Sequence, residues 1–234
     1  MSMGDLRRDG LGRRTLLSRI ARVAAVAAVA LPMSAGALLG SAGAQERRIL
    51  EAALDLFVER GFHATTIPEI ARRAGLAAGT IYLYFPGKEA LVNAILVRMR
   101  TCLGAMLAAA LPRAPRGTRA EFEGIWAVFS RFALECERGM AFCDLHHHAQ
   151  YVDAGAHAAR APTERLLEAH FQAGRRAGRY RDLEPSALRA AVAGVLLGMN
   201  KFARAGQLRL DAGLLAEARE MAWRAVTRAE RSEA

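Results

Sequence analysis

The chain has 234 residues, enough for one large domain or two small ones with a buried core. Its 53% hydrophobic share rests on Ala and Leu, aromatics are only 6%, and β-branched residues rarely alternate with polar ones, which points away from sheets and disorder and makes the fold class all-α. A net charge of +10 suits a nucleic-acid partner or an anionic surface, yet residues 1–44 hold six Arg against two acids and residues 45–100 eight bases against six acids, so charge alone locates no site.

The first 44 residues look like an export signal. Arg13-Arg14-Thr15-Leu16-Leu17 resembles a twin-arginine motif, Val23 to Leu31 is an apolar run, and Ala42-Gly43-Ala44 has the A-x-A form of a cleavage site. The run is too short to span a bilayer, and Met33 offers another start followed by a Gly/Ser/Ala-rich lead. Residues 1–44 are therefore read as a misassigned start or disordered extension, with a working signal as the alternative. Cys102, Cys136 and Cys143 form no CxxC pair and cannot all pair within one chain; they fit buried positions in a reducing, cytoplasmic compartment.

From Gln45, residues Ile49, Leu50, Ala53, Leu54, Phe57 and Val58 recur at three- and four-residue spacing, predicting an amphipathic helix that ends at Gly61. Thr66-Ile67-Pro68-Glu69 reads as a capping box opening a second helix, Ile67 to Ala74, and Gly75 follows where a tight turn wants a left-handed residue. A third helix is expected over Ala78 to Phe85, and a fourth from Lys88 toward Leu111. Two short helices joined by three residues are how proteins present a helix to the DNA major groove. Thr66, Ala78, Gly79, Thr80, Tyr82, Leu83, Tyr84 and Lys88 are the candidate DNA contacts. Gly79 permits close approach, Thr80 and the two phenols offer hydroxyls, Leu83 offers a surface for a thymine methyl or is a surface Leu with no partner, and Lys88 suits a phosphate beside a helix start. Phe85 is assigned to the core.

The run Gly61 to Leu91, with Thr66-Ile67-Pro68-Glu69-Ile70-Ala71, Ala74-Gly75, Gly79-Thr80-Ile81-Tyr82-Leu83-Tyr84-Phe85 and Lys88-Glu89-Ala90-Leu91, resembles the N-terminal domain of the TetR family. The resemblance covers about Gln45 to Leu103. It implies a homodimeric repressor that binds double-stranded DNA through its first three helices, with a helical C-terminal domain binding a small inducer. Domains are drawn accordingly at 45–103 and 104–230. One departure stands out: the family usually has Ser or Thr where this chain has Ala77, forgoing an N-cap worth about 1 kcal/mol.

Beyond the breaker Pro112 to Gly117, Thr118 to Glu121 reads as a second capping box. Phe122, Ile125, Trp126, Phe129 and Phe132 then share a helix face, which is either core or, as the resemblance implies for Trp126 and Phe129, the border of an effector cavity. Asp144-Leu145-His146-His147-His148 has three readings: an effector contact from His146 and His147, a metal site with nearby Cys143, His157 and His170, or solvated histidines. Adjacent histidines diverge, so no metal, cofactor or catalytic residue is assigned. Further helices are expected over Pro162 to Gly178, from Glu184-Pro185-Ser186, and from Asp211. The last two resemble the family's dimer-forming pair, with Ala190, Gly194, Leu197, Leu214, Ala218 and Met221 as candidate interface residues; intrachain packing is the alternative. No membrane partner is expected. An exported helical binding protein and a metal-dependent enzyme are the competing functional readings.

Overall fold

A computed structural model describes residues 39, 43–111, 115–146 and 150–228. All of these lie in one of the chain's two compact units, residues 32–234. Arg13 to Leu31, Met33, His147 and His148 are outside the described residues.

Among the described residues the secondary structure is helical, apart from one isolated bridge between Tyr180 and Thr227. Helix α1 spans Ala44–Ala64 and buries the expected stripe Ile49, Leu50, Ala53, Leu54 and Phe57, while Val58 is half-buried. It does not simply stop at Gly61. That residue leaves the helical region at φ 81, ψ 167, and one more turn follows to Ala64, so the expected end is a kink.

Helix α2 spans Ile67–Ala74 as expected. Its capping box is complete: the Thr66 amide donates to Glu69 Oε2 at 2.9 Å and the Glu69 amide donates to Thr66 Oγ1 at 3.4 Å. At its other end Gly75 turns left-handed at φ 65, and the Leu76 amide reaches back to the Ala71 carbonyl at 2.9 Å. Arg48 of α1 donates to the Ala74 carbonyl, a second cap placed by tertiary packing.

Helix α3, Ala78–Tyr82, is shorter than the expected Ala78 to Phe85. Pro86 disfavours helical geometry at Phe85, and the chain closes instead through a turn with the Tyr84 and Phe85 amides both donating to the Ile81 carbonyl. Phe85 is buried, as assigned.

Helix α4, Lys88–Ala110, buries Leu91, Val92, Ile95, Leu96 and Met99 and packs on α1. By length and composition it could cross a membrane, but half of its most apolar window is buried against other helices, which makes it a core helix. The remaining helices are α5 (Arg119–Glu135), α6 (Glu137–Leu145), α7 (Ala154–Ala158), α8 (Ala161–Arg176), α9 (Pro185–Arg204) and α10 (Ala212–Val226). Helices α5, α7 and α8 pack on α4, α6 packs on α1 and α5, and α8, α9 and α10 follow in sequence until α10 closes on α5.

The second capping box forms only by half. The Thr118 hydroxyl accepts from the Glu121 amide at 3.3 Å, but the Glu121 carboxylate turns inward, accepting from the Gly117 amide and pairing with His170 Nδ1, both at 2.7 Å. His170 Nε2 lies 2.6 Å from the Tyr180 hydroxyl. All three side chains are buried, so Tyr180 donates to Nε2 and Nδ1–H donates to the carboxylate, leaving no nitrogen of a neutral imidazole unsatisfied. Tyr180 also joins Phe171, Leu188 and Val226 in an apolar cluster that ties the α8–α9 connection to the end of α10.

Candidate nucleic-acid interface

Helices α2 and α3 meet through the three residues Gly75, Leu76 and Ala77; α2 packs on α1 and α3 packs on α2, with Ile67, Ile70, Ala71, Ala74 and Ile81 buried. With its one buried residue facing the core, α3 turns the rest outward. Gly79 is exposed, Ala78 and Thr80 are half-buried, and Tyr82, Leu83 and Tyr84 are 57%, 83% and 42% exposed. Three consecutive large side chains therefore bury little within the chain, which is unusual for a short helix end.

Tyr84 is oriented by its hydroxyl, which donates to Gln45 Oε1 on α1 at 3.0 Å. The Thr66 hydroxyl is exposed but donates to Glu69 Oε2 at 2.8 Å, so it already serves the cap of α2. Lys88 is half-buried. Its Nζ donates to the Phe62 carbonyl at 2.8 Å and sits 4.6 Å from the Phe62 ring centroid, so its charge is fixed at the start of α4 and shared with the end of α1.

Charges on the α1–α2 flank are mostly neutralised. Arg73 pairs with Glu59 at 2.9 Å and Arg60 with Glu69 at 2.8 Å. The bond from Arg73 lowers the Glu59 pKa, and the bond from the Thr66 hydroxyl lowers that of Glu69. Arg47 on α1 and Arg72 on α2 are exposed and make no ion pair among the described residues.

The candidate effector residues are not brought together. Trp126 is 5% exposed and its indole N–H donates to the Leu215 carbonyl at 3.0 Å, joining α5 to α10; Phe129 is half-buried. His146 is 3% exposed in a different neighbourhood, against Phe57, Phe142 and Tyr151, and burial lowers its pKa to about 4. His147 lies outside the described residues. The metal reading gains no geometry: Asp144 pairs with Arg204 at 3.6 Å, and among the described residues no group of three or more His, Cys, Asp or Glu could hold an ion. Burial raises the Cys136 and Cys143 thiols to about 11 and 12, so neither is a reactive thiolate.

On the last two helices, Ala190, Gly194 and Leu197 are exposed on α9, Met221 is 59% exposed on α10, and Leu214 is half-buried. Ala218 differs: it is fully buried within the chain, where α10 packs on its neighbours, and does not belong to that exposed face. Leu183 and Phe202, which the sequence reading passed over, are 49% and 55% exposed. Gln45, Arg48 and Phe62 were likewise missed as supports of the helix-turn-helix and the start of α4, because their partners stand 26 to 39 residues away.

The arrangement defines a helix-turn-helix protein with a larger helical domain behind it. Residues 49–95 match the family of bacterial regulatory proteins called the tetR family, and residues 103–228 match the tetracyclin repressor-like C-terminal domain. The chain belongs to the TetR family.

Among sequence relatives, the uncharacterized HTH-type transcriptional regulator YuxN of Bacillus subtilis is 42% identical over 52 residues, covering 22% of this chain and 18% of YuxN. The HTH-type transcriptional regulator RutR of Escherichia coli is 47% identical over 53 residues, covering 23% of this chain and 25% of RutR. The chain thus spans a quarter or less of the length of these curated relatives. A TetR family transcription regulator from Marinobacter aquaeolei shares the fold, with a TM-score of 0.69 at 22% identity over 79% of this chain and 96% of that one.

Proposed function

We propose that the protein is a sequence-specific DNA-binding transcriptional regulator, acting as a cytoplasmic homodimeric repressor that leaves its operator when a small-molecule effector binds. The observation that carries this reading is the exposed row Tyr82, Leu83 and Tyr84 at the end of the second helix of a helix-turn-helix. Thr80 and the two phenols supply hydrogen-bonding groups, Leu83 an apolar contact for a thymine methyl, and Gly79 a close backbone approach. Lys88, Arg47 and Arg72 add positive charge for phosphates. No residue is assigned a catalytic role.

The exposed apolar face of α9 and α10 supports the dimer reading, because Ala190, Gly194 and Leu197 are spaced so that two helices could approach closely across a two-fold axis. Two reading helices set about 34–36 Å apart would bind a pseudo-palindrome, and an effector preferring another spacing would lower DNA affinity by its differential affinity alone. Domain limits of 45–103 and 104–230 follow from this division of labour. Of the effector candidates, His146 fits best, since its buried Nε2 has no partner while the Trp126 indole is satisfied.

The test is selection of genomic fragments by the purified full chain, followed by titration of the enriched sequence. Tyr82→Ala and Tyr84→Ala should each weaken binding by about 1–3 kcal/mol. Failure to enrich any fragment would sink the reading.

A further inference from the structure

Arg100 lies on the part of α4 covered by α7. It is 7% exposed, and its guanidinium makes one hydrogen bond, from Nη1 to the Ala156 carbonyl at 2.6 Å. No carboxylate stands within ion-pair distance of it among the described residues. The charged groups that face it are Arg160 and Glu164, which pair with each other, and the thiol of Cys143 is held neutral by burial. Burial works against the charged form of Arg100 itself. A buried guanidinium is costly without a counter-charge, and one neutral carbonyl on one of its five N–H donors offsets only part of that cost.

A second polar group beside the same segment is unsatisfied. His146 Nε2 is buried without a partner, while Nδ1 lies 2.6 Å from the Tyr151 hydroxyl. With Nδ1 accepting from Tyr151, Nε2 carries the hydrogen and is free to donate. Tyr151 and Ala156 belong to one short segment. Asn93 pins it to α4 by donating to the Tyr151 carbonyl at 2.9 Å and accepting from the Asp153 amide at 3.0 Å. Phe142, Met99 and Cys143 make the surroundings apolar, with the Phe142 ring 4.4 Å from His146 and the two sulfurs 4.0 Å apart.

We propose that Arg100 is the recognition point for an effector carrying a carboxylate on an apolar body, the carboxylate occupying the guanidinium's unused donors. This rests on the effector-controlled reading above. The planar fork of arginine fits a carboxylate bidentately, and an anion supplies the missing counter-charge. Drawing Arg100 from the Ala156 carbonyl loosens the α7 segment from α4. Tyr151 in that segment stacks on Phe62 at 4.1 Å, and the Phe62 carbonyl holds Lys88, so the change reaches the start of α4 beside the helix-turn-helix.

The experiment follows thermal melting of the full chain at neutral pH with straight-chain acids from butyrate to decanoate, benzoate and phenylacetate, each beside its primary amide. At least one carboxylate should raise the melting temperature and its amide should not. Arg100→Gln should weaken that binding by about thirtyfold or more, and without ligand should melt no lower than the wild type, because it removes a buried charge. If Arg100→Gln does not fold, Arg100→Lys, which keeps the charge but loses the fork, should also lose most of the response. No response to any of these acids, equal response to acid and amide, or an undiminished response in the folded variant overturns the proposal. DNA binding is scored separately: a protein that binds DNA but none of these acids sinks this proposal alone, whereas one that binds an acid through Arg100 but no DNA sinks the regulator reading and leaves the site standing.

Discussion

Gly75 stands at φ 65, and a Cβ there would lie 2.8 Å from the Arg48 guanidinium that caps α2. Gly75→Ala therefore strains the backbone and disturbs the cap, and should cost about 1–2 kcal/mol, read as a lower melting temperature. An unchanged melt would contradict the turn described here. Glu121 sets a different constraint. Burial alone would raise its pKa, but the bonds from His170 and the Gly117 amide, with the charge of Arg116, hold it below the ordinary 4.5. A carboxylate with a depressed folded pKa contributes stability that is present above its unfolded value and lost as pH falls through its folded one. Stability should therefore drop on acidification below about pH 4.5, and Glu121→Gln should show a shallower acid limb. Parallel limbs in the two proteins would contradict the assignment.

At the scale of elements, α3 starts without a side-chain cap. Ala77 holds the extended geometry of an N-cap, φ −73, ψ 146, but presents a methyl group. Ala77→Ser should stabilise the protein by about 1 kcal/mol or less and tighten DNA binding by lowering the cost of ordering α3. A lower melting temperature would rule out the uncapped reading. The elements also divide by what made them readable. Helix α2 was legible to the residue because Thr66, Glu69 and Gly75 act on neighbours within a turn. The same local logic misread Glu121: a buried imidazole from 49 residues away outcompeted the cap amide for its carboxylate. Helices α6 and α7 were not read at all. Cys136 gives α6 no side-chain cap, and the run from Asp144 to His148 suggested chemistry more than a helix end. In the helix-turn-helix the exposed phenols were legible from spacing, but the supports from Gln45, Arg48 and Phe62 were not, since no sequence pattern reveals which distant polar group will satisfy a helix end.

For the whole molecule, the question is what covers α9 and α10. Gly194 is exposed and nothing lies within 4 Å of a Cβ built on it, so Gly194→Arg disturbs no contact inside the protomer. It should leave helix content unchanged by circular dichroism while shifting sedimentation to a monomer and weakening DNA binding, because one reading helix then contacts only a half-site. A dimer that survives this change would move the interface off this face. The most direct measurement is the affinity of the full chain for its enriched DNA and for unrelated DNA across a range of salt, with Tyr82→Ala/Tyr84→Ala beside it. A DNA reader predicts affinity that falls steeply with salt for both DNAs, a preference for the enriched sequence, and loss of that preference in the double variant. Equal affinity for both DNAs, or a preference untouched by losing the two phenols, would contradict the assignment of α3 as the reading helix.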